Sequence, residues 1–370
     1  MRILVDASPL LLRSAGVKNY LFHWIAHLRR LADGDAVRAF PWVGGYDELT
    51  HEASVLGRWA TIPRLALVYF VNLPGNPAID WMTASADVFH VSNQVRRPPR
   101  RTKLTATVHD MTCWLMPELH TPANVRADKV FGDRVLRRAA GLIAVSENTR
   151  RDVVRLLDLD PERVRVIYPG VAEPYFSVNA DQASATAVRY ELDRPYVLFI
   201  GTIEPRKNIP TLLDGWAQLP PFLREQYRLV ITGPVGWSAG PTLARIRDAA
   251  PGVVYLGYVP EPDLPGLTRG AAVFAYPSLY EGFGFPVAQA MACGVAVITS
   301  NVSSLPEVAG DGALLVDPRS PAEIRAALER LLFSHALRAQ LGARGAERAR
   351  QHYRWDACAR KSLEFFRTAC

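Results

Sequence analysis

One carboxylate in the sequence stands in a glycine-rich turn between an apolar segment and a segment of small residues. The apolar run 271–275 is followed by Pro277, which ends a buried strand because proline has no N–H for the sheet ladder. Glu281 comes next, in a turn that contains Gly282 and Gly284. Either Glu281 contributes to a binding site, or it is a solvated turn residue among ordinary turn glycines.

The residues after this turn favour a helix from about 285 to 293. The N-terminus of a helix binds anions, because the amides of its first turn have no helical partner and glycines let a phosphate approach the backbone. A carboxylate beside a phosphate site suits a ligand with hydroxyl groups next to its phosphates. The turn therefore predicts a nucleotide-sugar site that includes Glu281.

Two adjacent cations, Arg206 and Lys207, follow a predicted strand over 196–200 in a turn marked by glycine and proline. Arginine donates through a planar fork and lysine acts as a compact charge, so the pair suits a diphosphate. A departing diphosphate gains negative charge, and fixed cations would stabilise it most in the transition state. The alternative is a solvated pair of cations.

His109 and Asp110 stand at the end of a predicted strand over 104–108, where open α/β sheets place ligand contacts. The histidine is either structural or functional, and Asp110 is the alternative candidate for a base, since no other base stands out. Asp158 and Asp160 have the spacing of an Asp-x-Asp metal motif but precede a proline, which indicates a turn. We therefore predict no metal ligands.

Alternating strands and helices must position these side chains. The pattern predicts parallel sheets covered on both faces, in two domains with a cleft between them. A length of 370 residues fits two domains. We expect the first over 1–172 with 354–370, a linker over 173–194, and the second over 195–353. The opening strand and helix lack Gly-x-Gly-x-x-Gly, so a dinucleotide-binding fold is not favoured.

Composition limits the compartment and the partners. A net charge of +7 favours anionic partners, and the four cysteines lie far apart without a Cys-x-x-Cys pair, as expected for reduced cytosolic thiols. No apolar run is long enough for a signal peptide or a transmembrane helix. We expect a cytoplasmic protein, peripheral to a membrane at most.

Two stretches in the first half could meet an external partner. The segment 58–73 is rich in aromatic and aliphatic residues, and we expect a core helix rather than a surface for an apolar partner. A loop around two prolines is either a solubility feature or a site for anionic lipid headgroups or a pyrophosphate acceptor; nucleic acid is not favoured, because no aromatic stacking platform accompanies it. Its cations are Arg96, Arg97, Arg100, Arg101 and Lys103.

Seven motifs spread over nearly the whole chain resemble those of the retaining GT-B glycosyltransferases of family 4. Together they are specific, although each alone would be weak. They are the loop 14–17, Val108-His109-Asp110, the segments 145–150, 168–171 and 201–208, Pro277-Ser278-Leu279-Tyr280-Glu281-Gly282-Phe283-Gly284, and Leu305-Pro306-Glu307-Val308-Ala309-Gly310.

The resemblance implies two Rossmann-like domains, a final helix that crosses back to the first, and no bound cofactor or metal. A nucleotide sugar would bind mainly to the second domain and the acceptor to the first. Arg206 and Lys207 would hold the diphosphate, Glu281 a sugar hydroxyl, and His109 would lie near the sugar. The remaining implied contacts are Gly16 and Val17 near the phosphate and acceptor, Gly257, Tyr258 and Val259 at the base, and Gly282, Phe283, Gly284, Phe285 and Gln289 along the turn and helix.

Gln289 departs from the family pattern. The pattern is Glu-x7-Glu, and its second acid usually binds the ribose hydroxyls, whereas residue 289 is glutamine. An amide still offers one acceptor oxygen and two donor hydrogens, so the contact can survive without the charge. The loop 14–17 also has one glycine where the family usually has two.

The amino-acid sequences of these motifs are most similar to those of bacterial mannosyltransferases of surface-polysaccharide assembly. We therefore expect a metal-independent, retaining transferase that moves a hexose, with GDP-mannose as the first choice of donor and rhamnosyl or glucosyl transfer next. The competing interpretations are a degenerate protein that binds a nucleotide sugar without turnover, and a nucleotide-sugar epimerase.

Overall fold

A computed structural model describes residues 1–13, 16–45 and 48–369. Ser14 and Ala15, part of the amino-terminal motif, lie outside the described residues. The chain forms two compact units. The first contains Met1–Gly170 and the chain from Trp355 onward, and the second contains Val171–Arg354.

The first unit is built on a six-stranded sheet in which every pairing is parallel. Strands β3, β5 and most of β4 are completely buried, as expected for a parallel sheet covered by helices. Its order is β2-β1-β3-β4-β5-β6. The strands are β1 (Arg2–Asp6), β2 (Ala36–Phe40), β3 (Val88–Val91), β4 (Lys103–Val108), β5 (Gly141–Ala144) and β6 (Val164–Val166).

Six helices connect these strands, and local signals set several of their ends. Ser146 begins α6 by accepting a hydrogen bond from the Thr149 amide at 3.0 Å, and Asp158 ends it in the left-handed region. The helices are α1 (Gly16–Arg30), α2 (Arg58–Val71), α3 (Ala78–Thr83), α4 (Thr112–Leu115), α5 (Pro122–Arg134) and α6 (Glu147–Leu157).

The second unit repeats this architecture with a second all-parallel sheet of six strands. Its order, β12-β11-β10-β7-β8-β9, reverses direction between β7 and β10. The strands are β7 (Tyr196–Ile200), β8 (Arg228–Thr232), β9 (Val253–Tyr255), β10 (Val273–Tyr276), β11 (Val297–Ser300) and β12 (Ala313–Val316).

Ten helices cover the second sheet and one returns to the first unit. The returning helix packs on α1, where Trp24 Nε1 donates to Ser362 Oγ at 3.0 Å. The helices are α7 (Glu173–Ser177), α8 (Ala180–Arg189), α9 (Ile209–Ala217), α10 (Pro221–Gln226), α11 (Gly240–Arg247), α12 (Leu264–Arg269), α13 (Phe285–Ala292), α14 (Leu305–Ala309), α15 (Pro321–Phe333), α16 (His335–His352) and the returning helix α17 (Trp355–Ala369).

The expected linker over 173–194 is wrong. This range forms helices α7 and α8, which belong to the second unit, and α8 packs on α12. Asn179 and Gln182 form a capping box that begins α8. The weak periodicity of the range reflects two short helices rather than a linker.

The expectation of a core helix over 58–73 is also wrong. Helix α2 buries Thr61, Val68 and Val71, but Trp59 is 88% exposed and Tyr69 is 72% exposed. Apolar residues lie all round this helix, and the sheet covers only one of its faces. Among the described residues, no helix is both long and apolar enough to cross a membrane.

The turn predicted at Asp158 and Asp160 agrees with the structure. Asp158 ends α6, and Asp160 accepts a hydrogen bond from the Glu162 amide at 2.9 Å, so both aspartates have turn roles. In the described part of the chain, Cys113, Cys293 and Cys358 take part in no disulfide.

Candidate functional site

The candidate site lies at the carboxyl edge of the second sheet, where the strand order reverses. Strands β7 and β10 are neighbours there, although 72 residues lie between the end of β7 at Ile200 and the start of β10 at Val273. Open α/β sheets bind ligands in the crevice at such a switch point, because the loops from the two strands diverge to opposite faces. Arg206 and Lys207 follow β7, and Glu281 follows β10.

Glu281 joins the two loops through both of its oxygens. Its Oε1 accepts hydrogen bonds from Lys207 Nζ at 2.6 Å, Ser278 Oγ at 2.7 Å and the Tyr276 hydroxyl at 2.9 Å. Its Oε2 lies 2.8 Å from Arg206 Nη1. The carboxylate is therefore an ion-paired group and not the solvated turn residue of the alternative interpretation.

Arg206 is held by protein groups on several sides. Nη2 donates to Glu204 Oε1 at 2.6 Å, and Nη1 donates to the Tyr280 carbonyl at 2.8 Å as well as pairing with Glu281. The guanidinium thus ties the β7 loop to the β10 loop. Arg206 and Lys207 are balanced by Glu204 and Glu281, so the cluster carries no net formal charge.

Lys207 has a different set of contacts. Its ammonium donates to Glu281 and to the Tyr276 hydroxyl at 2.7 Å, and it lies 5.3 Å from the centre of the Tyr276 ring. An ammonium has three N–H donors, so two hydrogen bonds leave one for a ligand. Lys207 is the better placed of the two cations to contact an anion.

Burial and charge set the protonation of this cluster. Glu281 and Lys207 are 7% and 8% exposed. Burial alone would raise the pKa of Glu281, but the charges of Arg206 and Lys207 outweigh it and lower that pKa to about 2. Burial and the neighbouring Arg206 charge lower the pKa of Lys207. Glu281 is therefore an anion at any pH at which the protein would work.

The backbone around Glu281 is fixed by two serines and a glycine. The Glu281 amide donates to Ser303 Oγ at 3.0 Å, and Ser304 Oγ donates to the carbonyls of Glu281 and Phe283 at 2.9 Å each. Gly284 begins α13 with φ at +99°, a left-handed conformation that favours glycine. A side chain there would also meet Leu305 Cδ2 at 2.8 Å.

Asn208 anchors the cation turn from the other direction. It adopts φ at +57°, and its Nδ2 donates to the Pro277 carbonyl at 2.9 Å and to the Pro318 carbonyl at 2.6 Å. Thr211 Oγ1 donates to Asn208 Oδ1 at 2.6 Å. The turn that carries Arg206 and Lys207 is thereby tied to the loop after β10.

The predicted base-binding segment lies at the same edge of the same sheet. Gly257 follows β9 with φ at +68°, and its carbonyl accepts from the Gly233 amide at 2.8 Å and from Thr232 Oγ1 at 2.7 Å. Val259 is buried and Tyr258 is half-buried. Gly257 and its two hydrogen bonds bring Tyr258 and Val259 to the edge that carries Lys207.

Gln289 lies one turn into α13 and is half-buried, four residues after Phe285 on the same helical face. Its amide forms no side-chain hydrogen bond to the described part of the chain. Both amide groups of Gln289 are therefore available to a ligand at this end of the sheet.

The other predicted site residues belong to the first unit. His109 follows β4, and its ring contacts Tyr20 edge-on at 5.0 Å between centres. The residue is partly exposed, but its Nε2 is buried and has no hydrogen-bond partner among the described residues. Burial lowers the pKa of His109 to about 4, so the imidazole is neutral at pH 7.

Asp110 and the amino-terminal loop have local roles in the structure. Asp110 Oδ1 accepts from the Thr112 amide at 2.9 Å and from its hydroxyl at 2.5 Å, in the turn that precedes helix α4. These contacts occupy Oδ1 and favour a turn role over base catalysis. Gly16 and Val17 are the first residues of α1, and a side chain at Gly16 would meet no atom within 4 Å.

Sequence reasoning gave no site role to four residues that complete the cluster: Glu204, Tyr276, Ser278 and Ser303. Glu204 and Ser278 lie inside two of the motifs, Tyr276 directly precedes one, and Ser303 stands two residues before another. Glu204 is also only two residues before Arg206. A carboxylate that close to a cation in a turn is a usable signal. Among the described residues, no three His, Cys, Asp or Glu side chains are grouped to hold a metal ion.

Comparison with known proteins identifies the class and then the family. Residues 14–173 match the model described as Glycosyltransferase Family 4, and residues 184–348 match that of Glycosyl transferases group 1. The chain is 30% identical to the O-antigen chain mannosyltransferase B of Escherichia coli over 99% of its own length and 100% of the relative.

Solved structures agree on the fold. Sucrose-phosphate synthase from Thermosynechococcus elongatus superposes with a TM-score of 0.77 at 22% identity, covering 99% of this chain and 98% of that one. Anabaena HepE in complex with UDP-glucose gives a TM-score of 0.75 at 18% identity, with complete coverage of both chains. Two doubly wound parallel sheets of this kind form the GT-B fold. The chain belongs to glycosyltransferase family 4.

Proposed function

We propose that the protein is a retaining, metal-independent glycosyltransferase that transfers mannose from GDP-mannose to a glycan, lipid-linked or small-molecule acceptor. The observation that carries the proposal is the ion-paired cluster of Glu281, Lys207 and Arg206 at the switch point of the second sheet. It combines a hydroxyl acceptor with cations, as a nucleotide sugar requires. The mannosyl donor rests on the full-length E. coli relative.

The cluster assigns distinct roles to its members. Lys207 has a donor left for a diphosphate oxygen, and Glu281 Oε2, with Arg206 as its partner, keeps acceptor capacity for a sugar hydroxyl. Arg206 is a positioning residue that aligns the carboxylate. His109 would contact the sugar as a neutral imidazole, and the segments 257–259 and 282–285 with Gln289 would surround the nucleotide.

The proposed reaction proceeds on one face of the sugar. The bond from the anomeric carbon to the diphosphate oxygen breaks, and a bond from that carbon to the acceptor oxygen forms with retained configuration. The acceptor proton passes to the departing diphosphate oxygen. Lys207 stabilises the negative charge that grows there, and a fixed donor of this kind contributes most in the transition state.

A donor screen followed by product analysis tests this proposal. Thermal unfolding with GDP-mannose, GDP-rhamnose, UDP-glucose and the free diphosphates should show the largest rise in Tm with GDP-mannose, because only a bound ligand stabilises the fold. NMR of the product should show the anomeric configuration of the donor. A preference for UDP-glucose would replace the mannosyl assignment, and an inverted product would contradict the mechanism.

Two other outcomes separate the competing functions. Donor binding without sugar transfer to any acceptor would indicate a degenerate binding protein. Conversion of the donor to an isomer in the absence of an acceptor would indicate an epimerase. The ion-paired Glu281, which a pure nucleotide-binding role does not need, favours the transferase.

We also propose that the protein works in the cytoplasm and associates with an anionic membrane surface through Arg96, Arg97, Arg100, Arg101 and Lys103. Cations at such a surface contribute about 1 kcal/mol each. Sedimentation with anionic vesicles should fall when all five are replaced by glutamine. Unchanged sedimentation would leave this loop as ordinary surface charge.

A further inference from the structure

A cavity of about 320 Å³ in the first unit is lined by five arginines. Arg96, Arg97 and Arg100 come from the loop before β4, Arg134 ends α5, and Arg138 lies in the short helical turn that follows. The volume lies within the range of about 300–1,000 Å³ typical of small-ligand sites. Only three cations of the basic loop take part, and Arg134 and Arg138 come from a distant segment.

The arginines of this cavity outnumber the carboxylates near them, which are Asp80 in the lining and Asp128, whose pKa burial raises although the charge of Arg96 lowers it. Among the described residues, none of the five arginines forms an ion pair. Asp80 is the one carboxylate of the lining, and its Oδ1 already accepts the Arg100 backbone amide at 2.6 Å. The adjacent Arg137, by contrast, pairs with Asp133 at 3.3 Å. Five arginines around one cavity concentrate positive charge there, which favours an anionic ligand.

The arginines of the cavity indicate which kind of anion would bind there. Its planar fork matches the oxygens of a phosphate and forms paired, charge-assisted hydrogen bonds. Several forks around one cavity suit a group with several charged oxygens, such as a phosphate ester or a diphosphate. The cavity therefore has the composition of a phosphoryl site.

Exposed aromatic residues stand beside this cavity. Tyr69 and Phe70 are at the end of α2, Leu73 follows them, and Trp81 on α3 is 78% exposed. Trp81 is adjacent to Asp80 of the lining. Large exposed apolar patches on one surface mark sites of contact, and tyrosine and tryptophan are enriched where membranes meet water.

Hydrogen bonds connect the aromatic helix to the cavity wall. Asn72, which ends α2, accepts the Arg96 amide at 2.8 Å through Oδ1 and donates through Nδ2 to the Gln94 carbonyl at 3.1 Å. Asn76 of the lining donates to the Phe70 carbonyl at 2.7 Å. The end of α2 is thus hydrogen-bonded to the segments that form the wall of the arginine cavity.

We propose that the arginine cavity binds the phosphate or diphosphate head of an amphiphile in an anionic membrane, while the exposed aromatic residues of α2 and α3 enter the membrane interface. A cationic cavity beside an apolar surface is complementary to such a molecule, because its charged head and its apolar tail meet matching surfaces. The vesicle part of the test rests on the membrane association proposed above. The cavity itself is independent of Glu281, Arg206 and Lys207.

Binding of inorganic pyrophosphate tests the cavity without a membrane. Isothermal titration should show binding to the wild type and at least tenfold weaker binding to Arg134→Gln/Arg138→Gln. The matched control is Arg126→Gln/Arg151→Gln, which removes two exposed arginines of the same unit that do not line the cavity. Both variants keep Lys207, so pyrophosphate bound at the other unit is common to them. Equal binding by the cavity variant and the control would overturn the cavity assignment.

Vesicles identify the source of the phosphoryl group. The wild type should sediment with phosphatidylglycerol vesicles and not with phosphatidylcholine vesicles, and the cavity variant should lose most of this sedimentation relative to the control. Tyr69→Ser/Trp81→Ser should lose vesicle binding while keeping pyrophosphate binding and an unchanged Tm. If the Tyr69→Ser/Trp81→Ser variant sediments like the wild type, the proposal of an amphiphile in the cavity is wrong. A soluble phosphorylated ligand would then be the occupant.

Discussion

The Glu281 carboxylate has more partners than sugar binding alone requires. Three hydrogen bonds meet its Oε1, and its Oε2 pairs with Arg206. Oε1 is therefore saturated by the protein, and a sugar hydroxyl would bind at Oε2. One residue thus aligns the two cations and offers the remaining lone pair to the donor.

The variant Lys207→Ala should lose more turnover than the variant Arg206→Lys, which keeps a positive charge at position 206. We expect Lys207→Ala to lose ~10²-fold or more in kcat, because a preorganised charge facing the leaving group is removed. Arg206→Ala should also lose activity, through misalignment of Glu281. Arg206→Lys should recover part of it, and steady-state kinetics with donor titration measures all three.

The control for these variants is the exposed Arg319→Ala in the same unit. It should have wild-type kinetics. If Lys207→Ala has a kcat near that of the wild type, Lys207 does not contact the leaving group. This conclusion would hold whatever the stability of the variant.

Because of the ion pairs of Glu281, the free energy of unfolding should depend on pH. The pKa of Glu281 is lowered in the folded state to about 2, so its stabilisation is complete above its unfolded value and lost as pH falls toward the folded value. We expect the free energy of unfolding of the wild type to exceed that of Glu281→Gln by about 3 kcal/mol near pH 6. Urea unfolding from pH 6 to pH 2.5 should show this difference shrinking as pH falls. A difference that stays constant with pH would contradict the lowered pKa.

Gln289 is the place where the chain breaks its family pattern. A ribose diol can donate and accept, so glutamine can accept from one hydroxyl and donate to the other, although neutral bonds are roughly half as strong as charged ones. We expect Gln289→Glu to change the donor KM by less than about tenfold, which is under ~1.4 kcal/mol. Gln289→Ala should raise KM further, because it leaves the ribose hydroxyls unpaired.

Glu281→Gln completes the comparison in one donor-titration series. It should lose most of its turnover, since that carboxylate faces the sugar in the proposed function. An inactive Gln289→Glu together with a fully active Glu281→Gln would mean that the two positions have been assigned the wrong way round.

At the scale of elements, short turns after the strands hold the charged residues of the cluster. Asn208 and Gly284 both adopt positive φ, at +57° and +99°, one before α9 and the other before α13. Each lets a helix begin directly after a binding turn. Asn208 tolerates this conformation because its side chain hydrogen-bonds to Pro277 and Pro318.

Gly284→Ala should destabilise the second unit. The new methyl group would occupy an unfavourable backbone conformation, which costs about 1–3 kcal/mol, and would lie 2.8 Å from Leu305 Cδ2. Gly240→Ala is the control, because no atom lies within 4 Å of the methyl it would add at the start of α11. Urea unfolding should separate them by more than 1 kcal/mol. Equal stability would show that the turn relaxes without strain.

At the scale of the whole molecule, the two units repeat one architecture but carry different chemistry. The second sheet bears paired charges at its switch point, and the first unit bears the neutral, partly exposed His109 and an arginine cavity. This division fits a donor-binding unit and an acceptor- or lipid-binding unit.

Activity should persist in excess EDTA. Lys207 keeps one N–H donor for a diphosphate oxygen, and Asp158 and Asp160 serve as turn residues. We expect kcat within about twofold of its value without chelator, measured with a purified acceptor. Complete loss of activity that Mg²⁺ or Mn²⁺ restores would contradict the metal-independent mechanism.

Local signals in the sequence predicted the elements that border the site. Pro277 and the glycines of 282–284 act on their own backbone, so the end of β10 and the start of α13 were predictable. The Ser320 cap of α15 was predictable for the same reason, and its hydroxyl accepts the Glu323 amide at 3.2 Å. No strand was predicted at β2 or β3, because Arg38 and His90 interrupt their apolar runs.

The sequence by itself determined which residue types could bind a nucleotide sugar, and it placed each of them after a strand. Only the tertiary structure decided that Glu281 pairs with Lys207, 74 residues away, since parallel crossover connections bring distant strand ends to one edge. It also decided that α2 exposes its aromatic residues and that Arg134 and Arg138 join the loop at 96–100. Which face of an apolar helix is covered depends on its neighbours in space, and a sequence pattern does not contain them.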